Sequence, residues 1–270
     1  MKEERIKKLI LKFTAALAKT GKVRGEHLDK EGIHDFRVTV KKLRAFLRML
    51  AVANGQNNDL TKDFKRIYHI AGAIRDMQLE LEKARKLHIA VPGYTSHLEQ
   101  VISQQRVAWD QSNPEESVAH LEKRLERGDY SGISSDAFYH FLYGKTKAVR
   151  RITSRPQVSD DQLHEVRKHI KDAVYATELC RKKWREAYEK AGEPESEELK
   201  KITDKIGDYN DQRIMMAHMD SFADKLQDSP EKTEIRKVTA TMAKNLKSEK
   251  KETLSALQAY LETTTAAMHH

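Results

Sequence analysis

Cysteine, glycine, proline and aromatic residues are all scarce in this chain of 270 residues. The one cysteine, Cys180, excludes a disulfide within the chain, which is typical of a reducing compartment, and we expect it to be a small core residue. No apolar run reaches the roughly 18 residues of a transmembrane helix, and the N-terminus lacks the apolar stretch of a signal peptide. These absences predict a cytoplasmic protein without a membrane partner.

Helix-forming residues and charge dominate what is present. The chain is 39% hydrophobic and 34% charged, with only 11 Gly and 5 Pro, which predicts an all-α fold. Lys and Arg number 50 against 41 Asp and Glu, giving a net charge of +9. This excess favours an anionic partner, provided that the basic residues are concentrated locally.

The pattern of apolar residues and turn signals predicts eight helices in two halves. The predicted spans are 2–19, 32–53, 58–89, 94–127, 134–153, 160–191, 195–227 and 230–263. Asn113 is predicted to cap a new segment that starts at Pro114. Ser159 and Gln162 have the spacing of a capping box. Residues 128–132 are the best candidate for a linker between the halves.

Two signatures recur in the same order along the chain. A His-x-x-Arg-x-x-x-Lys motif begins at His34 and again at His164, an offset of 130 residues. The segment Phe64–Asp76 resembles Leu199–Asp211 at an offset of 135 residues. We therefore predict an internal duplication of a four-helix bundle, with one copy in residues 1–130 and the other in 131–270.

The second predicted helix has a basic face beside an apolar one. At 100° per residue, five basic or titratable side chains fall within roughly 80° of one another. These are His34, Arg37, Lys41, Arg44 and Arg48. Beside them runs an apolar stripe formed by Phe36, Val40, Leu43, Leu47 and Leu50.

A one-sign face of this length suits an extended polyanion. Arg offers planar bidentate donors to phosphate, whereas Lys offers a mobile point charge. The rise from His34 to Arg48 is about 21 Å at 1.5 Å per residue, much longer than one phosphate group. Two other interpretations stay open: the face is merely solvated, or carboxylates of other helices neutralise it.

The second half has a shorter basic face, formed by His164, Arg167 and Lys171. The positions that correspond to Lys42, Arg44 and Arg48 are occupied there by Asp172, Val174 and Glu178.

The third and seventh predicted helices supply further candidates. Lys65 and Arg75 are basic residues of the third helix that could face the same anion. Glycine inside a helix costs about 1 kcal/mol relative to alanine, so Gly72 and Gly207 indicate a close approach of a neighbouring helix. Two aspartates are predicted to orient basic side chains of that neighbour: Asp76 and Asp211.

Catalytic and metal-binding motifs are not found. There is no phosphate-binding Gly-rich loop, no nucleophile elbow and no paired-carboxylate motif. The histidines at His34 and His164 are surrounded by cations that would repel a metal, so we expect no metal and no cofactor. Trp109 and Trp184 are expected in the core rather than in a base-stacking platform.

At these residues the chain resembles the CHAD family, named for a conserved-histidine α-helical domain. The resemblance is carried by His34–Arg44, Ile74–Asp76, His164–Arg167 and Asn210–Asp211. The family motif joins H-x-x-R-x-x-x-R/K-R/K-x-R to a G-x-x-R-D element and repeats both in degenerate form. The resemblance covers residues 2–263 and implies two pseudo-symmetric bundles with a basic channel or groove that binds inorganic polyphosphate.

The resemblance implies a non-catalytic polyphosphate-binding protein that is targeted to, or regulated by, polyphosphate granules. The implied binding residues are His34, Arg37, Lys41, Arg44, Arg48, Arg75, His164, Arg167 and Lys171. Some relatives carry a triphosphate-tunnel domain with phosphohydrolase chemistry, but its strand-borne carboxylates have no counterpart here. Three alternatives stay open: a phosphohydrolase that uses His34 or His164, a nucleic-acid-binding module, and a scaffold for acidic proteins.

Overall fold

The computed structural model describes residues 1–55, 59–87, 91–128, 130–180, 184–190 and 197–268, and all regular structure within these ranges is helical. The all-α prediction is therefore confirmed. The α-helices are α1 (Glu3–Gly21), α2 (Lys30–Asn54), α3 (Lys62–Lys86), α4 (Pro92–Gln111), α5 (Pro114–Glu126), α6 (Ser135–Thr153), α7 (Asp160–Cys180), α8 (Arg185–Lys190), α9 (Glu197–Lys225) and α10 (Pro230–Met268). Asp129 of the predicted linker lies outside the described residues.

Local capping chemistry sets both ends of α2, the helix with the basic face. The Asp29 carboxylate accepts a hydrogen bond from the backbone N–H of Gly32 at 2.6 Å and so satisfies a free donor of the first turn. Gly55 ends the helix with φ +68°, and its N–H donates to the Ala51 carbonyl at 2.9 Å. A left-handed residue at this position is a common helix terminator.

The capping predictions have opposite outcomes at two other helices. The capping box of α7 is confirmed, because the backbone N–H of Ser159 donates to Gln162 Oε1 at 2.9 Å and the N–H of Gln162 donates to Ser159 Oγ at 3.2 Å. The predicted cap at Asn113 is wrong. Asn113 has φ +47° and makes no side-chain cap bond, since a capping side chain needs extended backbone. Pro114 does begin α5.

Unit 1 comprises residues 1–85 and 96–138. Its core forms around Phe36 of α2, whose ring meets Trp109 edge-on at 5.3 Å between centroids and Phe64 at 6.0 Å. Trp109 is fully buried, as predicted, and its indole N–H donates to the Val23 carbonyl at 3.1 Å. The predicted apolar stripe of α2 is buried along its length and turns the adjacent basic face outward.

Unit 2 comprises residues 86–95 and the described residues from 139 onward. Val166 and Ile170 of α7 pack with Ile202 and Ile206 of α9 and with Leu257 of α10. Two further predictions of core positions in this unit are confirmed by burial, those for Cys180 and Trp184. The division into copies at residues 1–130 and 131–270 stays a prediction, because compactness groups residues by contact rather than by ancestry.

Candidate functional site

The basic face of α2 lies partly open to solvent. His34 is exposed, whereas the four cations that follow are half-buried: Arg37, Lys41, Arg44 and Arg48. We call these five residues the unit 1 row. Packing of the neighbouring apolar stripe fixes the rotation of α2, so the cationic heads line one helix face over about 21 Å.

Arg37 lies against a gap in α3 that a glycine provides. A Cβ added at Gly72 would collide with Nη1 of Arg37, so the helix backbone and the guanidinium meet where no side chain intervenes. The predicted close approach at Gly72 thus involves an arginine side chain. Nη2 of Arg37 donates a long hydrogen bond, 3.5 Å, to Oδ1 of Asp76, as the orienting role proposed for Asp76 requires.

Tyr68 of α3 contacts two members of the unit 1 row. Its ring centroid lies 5.7 Å from Cζ of Arg37 and 5.8 Å from Cζ of Arg44. Both distances are within the range of cation–π attraction. One aromatic ring therefore holds two guanidinium groups that are two helical turns apart.

Arg75 adds a cation from α3. It is half-buried, and its Nη1 atom is buried without a hydrogen-bond partner. Burial lowers the pKa of the Arg75 guanidinium, and the neighbouring charge of Arg37 lowers it further. Two close cations with an unused donor form an arrangement that a bound anion would stabilise.

Lys65 is engaged at the start of α3. Its Nζ lies 2.5 Å from Oδ2 of Asp59, and this hydrogen bond holds the pKa of the Asp59 carboxyl below its usual range, with a weaker contribution from Arg44. Asp59 is thus an exposed carboxylate beside the row, but it precedes α3 and its hydrogen bond is to Lys65 rather than to a member of the row. An incoming anion would have to compete with it for Lys65.

The basic residues of α7 occupy a similar setting in unit 2; we call His164, Arg167 and Lys171 the unit 2 row. Nε of Arg167 donates to the Thr203 carbonyl at 3.3 Å, and a Cβ added at Gly207 would come within 2.9 Å of Nη2 of Arg167. The arginine–glycine pairing of unit 1 therefore recurs in unit 2. This recurrence supports the predicted duplication at the level of side-chain contacts.

Carboxylates accompany the unit 2 row as well. Nζ of Lys171 lies 3.2 Å from Oδ1 of Asp204, an exposed residue of α9 that no sequence motif indicated. Asp211 is exposed on the same helix, and its orienting role stays a prediction.

His164 is half-buried, and its Nδ1 is buried without a hydrogen-bond partner. Burial lowers the pKa of the His164 imidazole, and the positive charges of Lys168 and Arg167 lower it further. The ring is thus held toward its neutral form, with a donor or acceptor atom unused.

Asp172, which occupies the position equivalent to Lys42, does not add an exposed negative charge to the unit 2 row. Asp172 is buried, and its Oδ2 pairs with Nζ of Lys145 of α6 at 2.7 Å, the two side chains being 10% and 16% exposed. Asp172 therefore contributes to the core of unit 2, and its charge is neutralised there.

Little in the sequence indicated three residues that contact the basic side chains of this site. Tyr68, Asp59 and Asp204 belong to no motif, and only their spacing from Gly72 or Gly207 relates them to the rows. Within the described ranges no group of three or more His, Cys, Asp or Glu residues could hold a metal ion. Over the same ranges no helix has an apolar stretch long enough to cross a membrane.

Comparisons with known proteins agree on one family. The family model for the CHAD domain matches residues 9–220 of this chain. The crystal structure of the CHAD domain from the plant Ricinus communis matches with a TM-score of 0.66 at 17% sequence identity, over 96% of this chain and 91% of that chain. At this identity the structural likeness establishes the fold alone. A comparison with the curated proteins found no match.

Proposed function

This chain belongs to the CHAD domain family, and from this premise we propose that it is a non-catalytic protein that binds inorganic polyphosphate along its basic rows. The observation that carries the proposal is the unit 1 row, which presents its cations along one helix face and is backed by a buried apolar stripe. A preorganised row of this kind loses little conformational entropy when it binds.

The length of the row favours a chain of phosphates over a single one. Its span of about 21 Å offers binding groups at nearly every turn of α2. Arg37 and Arg75 supply guanidinium donors, and Lys41 supplies a point charge. Because all phosphate units of the ligand are alike, it can shift along the row in many registers. Affinity should therefore rise with chain length.

The proposed mechanism is charge neutralisation without turnover. The anion would displace two carboxylates of the chain itself: that of Asp59 from Lys65, and that of Asp76 from Arg37. Binding should weaken steeply with salt, by analogy with counterion release from nucleic acids. A cellular role at cytoplasmic polyphosphate granules follows from this affinity and is part of the proposal.

The test is a titration with long-chain polyphosphate of defined length at two salt concentrations, with DNA and ATP as competitors. We expect the double variant Arg37→Gln/Lys41→Gln to lose about tenfold or more in affinity, equivalent to about 1.4 kcal/mol. The matched control is Lys8→Gln/Lys12→Gln, which removes the same charge from exposed positions of α1 and should bind as the wild type does.

Three outcomes would overturn the proposal in favour of its alternatives. Release of orthophosphate from short polyphosphate with a divalent metal, abolished by His34→Ala, would indicate a phosphohydrolase. Preference for DNA at equal salt would indicate a nucleic-acid-binding module. Equal losses in the double variant and its control would mean that the row is a solvated face.

A further inference from the structure

Arg213 of α9 is a half-buried cation that no sequence motif indicated. Its Nε atom is buried without a hydrogen-bond partner, and its Nη2 donates only a long bond, 3.5 Å, to Oδ1 of Asn210. A buried guanidinium donor that stays unused is costly, because it has lost its water and gained nothing in return. The side chain is therefore suited to a ligand that supplies acceptors.

Among the described residues, no carboxylate forms an ion pair with Arg213. The charge of Arg213 helps to lower the pKa of the Asp160 carboxyl, but the hydrogen bonds of Asp160 come from Tyr209 Oη at 2.7 Å and from Nζ of Lys250 at 2.6 Å. The charge of Arg213 also reaches His164 and contributes to lowering the pKa of that imidazole, after burial and the charges of α7. Arg213 and His164 each have a buried polar atom without a partner.

Paired contacts show where Arg213 lies along the unit 2 row. Lys171 contacts Asp204, whereas Asp160, eleven residues earlier on α7, contacts Tyr209. The helices α7 and α9 therefore run antiparallel. Arg213, four residues after Tyr209, lies toward the N-terminal end of α7, at the His164 end of the row.

Comparison with unit 1 shows that Arg213 lies near the position at which unit 1 has an arginine. In unit 1 the residue three positions after the glycine is Arg75, whereas the residue three positions after Gly207 is Asn210. Residues three apart on a helix are neighbours on one face, so Arg213 lies one turn beyond the place where unit 1 has its arginine.

We propose that Arg213 is a phosphoryl-binding residue that extends the unit 2 row beyond His164, so that Arg213 and His164 together hold one phosphoryl group of polyphosphate. The inference rests on the proposed function and adds to it a residue outside the family motif. It also assigns a ligand to both unused polar atoms, with Nε of Arg213 donating to a phosphoryl oxygen.

The first test compares Arg213→Gln with Lys225→Gln, which removes the same charge from an exposed position of the same helix. We expect Arg213→Gln to weaken polyphosphate binding about fivefold or more, as for a charged hydrogen bond. The slope of log affinity against log salt should fall by about one, as for one lost phosphate contact. Lys225→Gln should change neither quantity, and Arg213→Lys should retain most of the slope.

The second test needs no variant and so stands even if Arg213→Gln fails to fold. NMR signals of Arg213 Nε and the His164 ring in the wild type should shift together when polyphosphate is added. Unshifted signals, or equal effects of Arg213→Gln and Lys225→Gln, would overturn the inference. The proposed function would survive that result if Arg37→Gln/Lys41→Gln still weakened binding about tenfold or more. It would fail separately if the wild type did not bind polyphosphate at all.

Discussion

Among single residues, Tyr68 makes the most specific contribution to the unit 1 row, because it contacts both Arg37 and Arg44. We predict that Tyr68→Leu weakens polyphosphate binding while Tyr68→Phe does not. Each cation–π contact contributes about 0.5–1 kcal/mol at exposed sites, so losing both should lower the affinity by about fivefold to thirtyfold. Isothermal titration of the three proteins at one salt concentration measures the difference.

The phenylalanine variant is the control that separates positioning from hydrogen bonding. It keeps the ring face and removes only the hydroxyl, so its binding should match the wild type. If Tyr68→Leu bound as tightly as Tyr68→Phe, the ring would not position the arginines, and the guanidinium contacts would be incidental to binding.

His164 and His169 should make the stability of unit 2 depend on pH, and the sign of this dependence follows from their burial. Burial is the largest cause that lowers the pKa of both imidazoles in the folded chain. Between about pH 6.5 and the lowered values, the unfolded chain binds more protons than the folded one. The contribution of these imidazoles to the free energy of unfolding should therefore be fully present above about pH 6.5. It should be lost as the pH falls through their lowered pKa values.

Urea unfolding at pH 7.5 and pH 5.5 measures this contribution. We predict that His164→Gln reduces the difference in unfolding free energy between the two pH values. His27→Gln, at a residue whose side chain is 77% exposed, should leave the difference unchanged. An undiminished difference in His164→Gln would show that this imidazole is not the source.

At the scale of helices, the glycines of α3 and α9 set the distance between a backbone and an arginine. We predict that Gly72→Ala lowers polyphosphate affinity, because its Cβ collides with the Arg37 guanidinium and displaces it. Since the colliding group is the end of a flexible side chain, the helix itself should persist. Polyphosphate titration and thermal unfolding of the same variant measure the two effects separately.

Gly144→Ala is the matched control, because a Cβ at Gly144 of α6 meets nothing within 4 Å. It should stabilise the chain by about 1 kcal/mol through helix propensity alone and leave binding unchanged. Gly72→Ala should gain less stability than this. If Gly72→Ala gained as much and bound normally, the absence of a side chain at Gly72 would have no role in the site.

The sequence could predict the helices because their signals are local. The capping box at Ser159 and Gln162 depends on residues three apart, and the buried stripe of α2 follows from the helical period. The prediction failed at Asn113, whose left-handed backbone, with φ +47°, cannot be read from residue type and spacing. The contacts of Tyr68 and Asp204 could not be predicted from the sequence either. They depend on how α3 is rotated against α2 and how α9 is rotated against α7.

Across the whole molecule, the two rows differ in length and in neutralisation. The unit 1 row has five members over about 21 Å, whereas the unit 2 row has three over about 10 Å. In unit 2 the acid at the position of Lys42 is buried against Lys145 and so does not repel an anion. The unit 2 row therefore has fewer available cations, and the position of Arg48 is occupied there by the exposed acid Glu178.

This difference predicts unequal effects of matched substitutions at the two arginines that face glycines. Arg37→Gln removes a guanidinium from the longer row, so it should weaken binding of long-chain polyphosphate more than Arg167→Gln does. We expect a loss of about fivefold or more against about twofold, since fewer phosphates contact the shorter row. Titrations of both variants at matched salt measure the two losses, and thermal unfolding checks that each variant is folded. Equal losses would mean that the rows bind equally, and would require Arg213 or another cation of unit 2 to replace the members that the shorter row lacks.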